Sequence, residues 1–253
     1  MNNNLKKFLF WAFLFIAVFT SPKLADAAIA FDATSTATTN AAGNPITVTH
    51  TVTGSDTILF QGIWANNSVD VVNSSYAGVL STRLGSVAGS AGSRLWLYYQ
   101  LNPATGANTA STSFSGTVSS ARLHNASYTG AAQVVPEATS TSNTTGLTLT
   151  VSATSTSDNA WMFEVIENAQ ANVCSASTNT RIIIWNGPGS GSEDTCAADS
   201  GAALTPAGQR DFAVTRAAGS NFFGGLLAVF APAAEVAAVV VQNQNQVIWW
   251  WEE

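Results

Sequence analysis

The sequence predicts an all-β protein, folded as a single β-sandwich of about a dozen short antiparallel strands. Many segments alternate apolar and polar residues, as Ile46-Thr47-Val48-Thr49 does. Turn-forming residues recur at intervals of roughly 8–12 residues, which is typical of sandwiches and barrels. Beyond residue 27, no segment shows the periodicity of an amphipathic helix.

The strands follow in order from alternation and from the Gly, Pro, Asn, Asp and Ser clusters that separate them. They are predicted at residues 29–32, 46–52, 57–65, 69–76, 78–87, 93–101, 109–118, 121–129, 147–151, 159–166, 180–185, 211–215 and 222–230. The unbroken apolar stretch at 57–65 predicts burial on both faces. Residues 135–146, rich in Pro, Ser, Thr and Asn, are predicted to link two halves of the same sandwich.

The segment 93–101 is predicted to be a central strand, because its two faces differ sharply. One face is suited to a dry core and carries Leu95, Leu97, Tyr99 and Leu101. The other is predicted to be a partly exposed aromatic surface that can stack on sugar rings, formed by Arg94, Trp96, Tyr98 and Gln100. Core packing of these aromatic side chains is the alternative.

The first 27 residues have the features of an export signal. Lys6 and Lys7 precede the apolar run 8–19, and Ala25-Asp26-Ala27 supplies small residues for cleavage. The run has 12 residues, whereas a membrane-crossing helix needs about 20. We therefore expect a mature chain that begins near Ala28 and is secreted or held at the cell surface.

The charge balance of that mature chain excludes some partners. All three lysines precede Ala28, which leaves six arginines against fourteen acidic residues. Such a chain lacks the basic surface that binds nucleic acid or an anionic membrane.

Cys174 and Cys196 are the two cysteines of the chain. An even pair in an exported protein predicts one disulfide. Zinc binding is disfavoured, because no histidine lies between the two cysteines.

The carboxylates and histidines do not form a recognisable catalytic pattern. Glu164 and Glu167 lie three apart in a predicted strand and should face opposite sides, whereas glycoside hydrolysis needs two carboxyl groups at one sugar. Glu164 is predicted to be solvated and Glu167 to end its strand. His50 and His124 are predicted to be partly buried and hydrogen-bonded. No catalytic residue and no required cofactor are assigned.

A Gly-rich loop runs from 186 to 192 and continues into acidic residues near the second cysteine. Glu193, Asp194 and Asp199 are candidate calcium ligands, since calcium favours oxygen ligands in irregular loops. A solvated acidic loop is the alternative.

The carboxyl-terminal segment, residues 233–253, is predicted to be a separate apolar tail. Two apolar stretches flank the polar run 242–246, and Trp249, Trp250 and Trp251 stand together near the end. Three interpretations are open: a hairpin that completes the sandwich, a strand added to another subunit or surface protein, and seating at a membrane interface.

Several connections are longer than hairpin turns, which favours a jelly roll over an up-and-down barrel. The segments TGSDTILFQGIWANN, SSYAGVLSTRLGS, SRLWLYYQLNPATGANTASTSFSG and ARLHNASYTGA point the same way. Together they resemble a jelly-roll domain of exported bacterial and phage-associated surface proteins. That family is similar in fold to concanavalin A-like and laminin-G-like sandwiches. The resemblance spans residues 29–232 and implies a fold and a surface role, but no active site.

The sequence as a whole predicts a non-enzymatic, exported structural or adhesive protein whose tail mediates attachment or self-assembly. The alternative is a carbohydrate-binding module, and a glycoside hydrolase ranks third.

Overall fold

The computed structural model describes residues 28–39, 43–170, 173–186 and 194–234. These residues contain no α-helix; one 3-10 turn, Ser90–Gly92, interrupts a succession of 17 β-strands. Up to Ala233 they belong to one compact unit. The predicted signal segment 1–27 and residues 235–253 of the predicted tail lie outside the described residues.

The first nine strands form the first half of this unit. They are β1 (Ala30–Thr39), β2 (Ile46–Val52), β3 (Ile58–Ala65), β4 (Val71–Tyr76), β5 (Val79–Leu80), β6 (Thr82–Ala88), β7 (Arg94–Leu101), β8 (Gly106–Phe114) and β9 (Ala121–Thr129). Strands β1-β9-β3-β7-β6 pair in that order as the first inner sheet, and β2-β8-β4-β5 pair as the first outer sheet.

The remaining eight strands form the second half. They are β10 (Ala138–Thr144), β11 (Thr148–Ser155), β12 (Trp161–Asn168), β13 (Cys174–Ala176), β14 (Arg181–Asn186), β15 (Asp194–Asp199), β16 (Gly208–Arg216) and β17 (Phe223–Phe230). Strands β10-β17-β12-β15-β14 pair as the second inner sheet, and β11-β16-β13 pair as the second outer sheet.

The two halves are wound in the same way. If the two-residue strand β5 is left out, each half has eight strands. Both inner sheets then have the same strand order, namely the first, last, third, sixth and fifth strand of their half. Both outer sheets place the second, seventh and fourth strands side by side. The described chain therefore repeats one strand arrangement twice.

Within the described residues, three apolar cores separate four layers. One core lies between the first outer and first inner sheets, a second between the two inner sheets, and a third between the second inner and second outer sheets. In the middle core Phe60 of β3 stacks on Phe163 of β12 with ring centroids 5.2 Å apart. A Cβ added to Gly62 of β3 would come within 2.8 Å of the Val165 side chain. The inner sheets approach closely because glycine leaves room there.

Sequence pattern explains which strands lie inside. Strands covered on both faces can be apolar throughout, and β3, β12 and β17 are buried at every position. Strands with one wet face alternate, and β11 is exposed and buried at successive positions. The predicted burial of both faces around β3 is confirmed.

The prediction of an all-β, antiparallel sandwich is confirmed, but the number of layers differs from the prediction. The described chain forms four sheets rather than one pair, because strands from each half cover the inner face of the other. Strand β10 lies within residues 135–146, which the sequence predicts to be a link. Strand β1 continues to Thr39, beyond its predicted end at residue 32. The sequence pattern does not predict strands β13 and β15. All these segments are rich in small or polar side chains, which carry a weak strand signal.

Candidate functional site

Strand β7 has the alternation that the sequence predicts, but both of its faces are covered. Leu95, Leu97 and Tyr99 are buried in the middle core. Trp96 and Tyr98 lie in the core beneath the first outer sheet, and Trp96 is 0% exposed. Its indole Nε1 donates a 2.8 Å hydrogen bond to Asp70 Oδ1.

The prediction that β7 exposes a glycan-stacking surface is therefore wrong. Tyr98 and Gln100 are buried, and only Arg94 of the four proposed residues is partly exposed. The physical reason is the second layer: the first outer sheet covers the face that a single sandwich would leave wet.

Glu164 and Glu167 point to opposite faces of β12, as their spacing predicts. Glu167 faces the first half, where its Oε1 accepts hydrogen bonds from Ser93 Oγ at 2.6 Å and from the Ser90 N–H at 3.2 Å. A Cβ on Gly89 would collide with the Glu167 carboxylate. The turn between β6 and β7 is thus shaped around a carboxylate from the other half.

Glu164 faces the core between the second inner and second outer sheets and is 1% exposed. The prediction that it is solvated is wrong, because β11 and β16 cover this face of β12. Within the described chain neither carboxyl oxygen has a hydrogen-bond partner. Burial raises the pKa of Glu164 from 4.5 to about 8, so the side chain is mainly protonated at neutral pH.

Asp194 and Asp199, two of the three candidate calcium ligands, lie in a buried strand instead of a loop. Asp194 and Asp199 begin and end β15, and both are 0% exposed. Asp199 is bound by Arg181, with Nε to Oδ1 at 2.9 Å and Nη2 to Oδ2 at 2.6 Å. Tyr128 of the first half also donates to Asp199, at 3.3 Å.

This arrangement removes the basis of the proposed calcium site. Asp199 is committed to an arginine, and Glu193 lies outside the described residues. Among the described residues, no group of three or more His, Cys, Asp and Glu side chains is placed to hold a metal ion.

His50 belongs to a hydrogen-bonded chain in the first half. Its Nε2 and Nδ1 lie 3.0 Å from Ser127 Oγ and from Ser35 Oγ respectively. Ser127 donates to Asp32 Oδ2 at 2.7 Å, so its oxygen must accept from Nε2–H. Nδ1 then accepts from Ser35, whose oxygen in turn accepts from Asn125 Nδ2.

The chain of hydrogen bonds continues inward from Asn125. Its Oδ1 accepts from Gln61 Nε2 at 3.3 Å, and Gln61 Oε1 accepts from Ser74 and Ser81 at 3.0 and 2.6 Å. This network joins the first inner sheet to the first outer sheet. Sequence reasoning predicted a hydrogen-bonded His50 but not its partners, which are Ser, Asn and Gln residues without a distinctive spacing.

Both histidines are neutral near pH 7. Burial lowers the pKa of His50 from 6.5 to about 4, against the opposing charge of Asp32. His124 lies between the inner sheets, 2.8 Å from Thr195 Oγ1 and 3.0 Å from Thr36 Oγ1. Burial and the nearby charge of Arg122 lower the pKa of His124 from 6.5 to about 3.

The predicted disulfide is present. Cys174 of β13 and Cys196 of β15 connect the second outer sheet to the second inner sheet. Both cysteines are buried in the core between these two sheets, the same core that Glu164 faces. The disulfide is compatible with an extracytoplasmic location.

The predicted assembly residues Trp249, Trp250 and Trp251 lie outside the described residues. On the described surface, the edge strand β5 exposes Val79 and Leu80, at 56% and 65%. Nothing in the part of the chain described here forms a helix long and apolar enough to cross a membrane.

The fold and the disulfide define a β-sandwich protein built from two similarly wound halves. No protein-family model, curated protein or solved structure matches this chain.

Proposed function

We propose that this chain is an exported structural or adhesive protein of the cell surface, whose tail mediates attachment or self-assembly by strand addition. The observation that carries this proposal is the use of the interior polar groups as ties between layers. Glu167 binds the turn of the other half, Asp199 binds Arg181 and Tyr128, and the His50 network spans two sheets. Glu167, Asp199 and His50 belong to residue types that often perform chemistry, and here they are engaged in holding sheets together.

We also propose that each half is a jelly roll. Successive strands β1 to β4 alternate between the inner and outer sheets, and so do β10 to β13. Crossing between two sheets in this way is typical of jelly rolls and differs from an up-and-down meander. The sequence resemblance implies one jelly roll over residues 29–232, whereas this proposal assigns one to each half.

Strand addition by the tail has acceptors of the right kind. Edge strands present unpaired backbone groups, which charged residues usually protect. The mature chain has no lysine for this purpose, and β5 carries two exposed apolar side chains at the edge of its sheet. The tail has the short apolar stretches 236–241 and 247–251 as donors.

Size-exclusion chromatography with light scattering tests this proposal. We expect the purified protein to form oligomers, and a variant lacking residues 236–253 to be monomeric with an unchanged melting temperature. A second variant, with Trp249, Trp250 and Trp251 replaced by serine, keeps the chain length and should also lose assembly. An unchanged oligomeric state in both variants, or a monomeric parent that does not bind cell surfaces, would contradict the proposal.

The carbohydrate-binding alternative loses its proposed surface, because Trp96 and Tyr98 are buried. The hydrolase alternative loses its carboxylate pair, because Glu164 and Glu167 face different cores. A glycan array and a polysaccharide-cleavage assay with the intact protein test both directly.

A further inference from the structure

The two halves place a polar residue at the same position of their central strands. Strands β3 and β12 each have eight residues, and each pairs along its whole length with the last strand of its half. Gln61 and Glu164 are both the fourth residue, and both face the outer sheet of their own half. The two positions are therefore equivalent, and their surroundings can be compared directly.

Gln61 has several polar partners, whereas the carboxyl group of Glu164 has none among the described residues. Gln61 lies opposite Asn125 on β9 and is bound by Asn125, Ser74 and Ser81. Glu164 lies opposite Leu227 on β17. Its two carboxyl oxygens have no hydrogen-bond partner among the described residues. In the first half, hydrogen bonds satisfy the polar side chain at this position. In the second half, the side chain at this position is an acid in an apolar core.

The chain makes space for this acid. A Cβ added to Gly225 would collide with Glu164 Oε1 and would also come within 3.0 Å of Leu149. Gly225 therefore leaves room for the carboxyl group, in a strand where glycine otherwise weakens pairing.

The charged groups that share this core are engaged elsewhere. Those facing it from the described elements around Glu164 are Arg210 and Arg216 of β16 and Asp194 of β15. Arg216 binds Asn168 at 2.9 Å and several main-chain carbonyls. Arg210 donates from Nη2 to the Pro206 carbonyl at 2.7 Å, while its buried Nε has no hydrogen-bond partner among the described residues. Asp194 lies at the far end of β15, opposite Asn168. Burial raises the pKa of Glu164, and none of these three charges offsets it.

We infer that Glu164 is a built-in proton switch: the second half is closed while this acid is protonated, and loss of the proton opens the second outer sheet away from the second inner sheet. An ionised carboxylate cannot remain in a dry apolar core without a partner. It regains water most readily if β11 and β16 move off β12. The Cys174–Cys196 disulfide joins the same two sheets at β13 and limits the opening to the side of β11.

The direction of the pH effect follows from linkage. The pKa of Glu164 is about 8 in the folded protein against 4.5 for an exposed glutamate. The stabilisation by the bound proton is complete below pH 4.5 and is lost as the pH rises towards 8. Relative to a non-ionising side chain, the unfolding equilibrium constant should increase about 140-fold between pH 4.5 and 7 and level off above pH 8.

Urea unfolding of the wild type and of Glu164→Gln between pH 5 and pH 9 tests the switch. We expect the wild type to lose stability relative to the variant as the pH rises, whereas Glu137→Gln, a change at a partly exposed acid, should follow the wild-type profile. Parallel profiles for wild type and Glu164→Gln would overturn the inference. If Glu164→Gln does not fold, Glu164→Met is used in its place.

Two measurements on the wild type identify the group and the opening. The infrared carbonyl band of a buried protonated carboxyl should be present at pH 6 and lost above pH 8. Hydrogen exchange, corrected for its intrinsic pH dependence, should accelerate in β11 and β16 at pH 9 but not in β2 and β8. Absence of the band at pH 6, or equal acceleration in both outer sheets, would contradict a local switch.

Discussion

The carboxylate of Glu167 on β12 accepts a 2.6 Å hydrogen bond from Ser93 Oγ, next to the start of β7, and this contact joins the two halves of the chain. Ser90 contributes its N–H and its hydroxyl to the same oxygen. A carboxylate that accepts several hydrogen bonds in a buried position is strongly held. The interface between the inner sheets therefore has a polar anchor beside its apolar core.

Glu167→Ala should destabilise the protein by about 2–3 kcal/mol, because hydrogen bonds to a charged group are lost and the hydroxyl of Ser93 is left buried. Urea denaturation measures this change. Asp56→Asn, which alters an exposed carboxyl group in a turn, is the matched control and should have little effect. Equal stability of Glu167→Ala and wild type would show that the contact does not hold the halves together.

Arg181→Gln should cost about 3 kcal/mol or more, because it leaves the buried carboxylate of Asp199 without its cation. The double variant Arg181→Gln with Asp199→Asn removes both charges and should recover part of the loss. A double-mutant cycle from thermal unfolding gives the coupling. Additive effects of the two substitutions would show that the pair contributes nothing as a pair.

Calcium should leave the melting temperature unchanged, since Asp199 is bound by Arg181 and Asp194 lies within a strand. Melting curves in millimolar calcium and in chelator provide the comparison. A higher melting temperature with calcium, abolished by Asp199→Asn, would restore the calcium site.

The two histidines should make the protein sensitive to acid. Their folded pKa values, about 4 for His50 and about 3 for His124, lie below the ordinary 6.5, so the unfolded chain binds protons first as the pH falls. Stability is therefore complete above pH 6.5 and is lost as the pH falls towards 4 and 3. His124 alone should account for about 3 kcal/mol at pH 4.

Proton NMR of the histidine rings checks this directly, because neither ring should titrate between pH 7 and 5. His124→Gln should flatten the acid limb of the stability profile. A ring that titrates near pH 6.5 would disprove burial of the neutral form.

Reduction of the disulfide should cost about 3 kcal/mol, as expected for a loop closed over 22 residues. Denaturation with and without a thiol reductant measures it. The variant Cys174→Ala with Cys196→Ala should be insensitive to the reductant. Reductant sensitivity in that variant would mean that the effect does not come from this bond.

The strongest apolar segments could be located from sequence, because they supply the inner sheets. Alternation correctly assigned Leu95 and Trp96 to opposite faces of β7. It also assigned Glu164 and Glu167 to opposite faces of β12. It could not show what lies beyond each face, since an outward aromatic face and a face covered by another sheet have the same pattern. This is why the sequence pattern predicts a partly exposed Trp96 and a solvated Glu164.

The missed strands have a common physical origin. Strand β10 contains no side chain larger than threonine or asparagine, and β15 reads Asp-Thr-Cys-Ala-Ala-Asp. Their place in the sheets comes from neighbours, β17 for β10 and β12 for β15, rather than from their own composition. Such long-range pairing is not visible in local pattern.

Because two similarly wound halves are joined in one polypeptide, the contact between them should not depend on protein concentration. Two separate subunits that meet through an apolar face dissociate when their concentration falls below the dissociation constant, whereas tethered ones experience an effective concentration set by the tether. Here the short connection of residues 130–137 joins β9 to β10. The buried face between the inner sheets should thus persist in a single molecule released into open water, where a dimer of half-length chains would come apart.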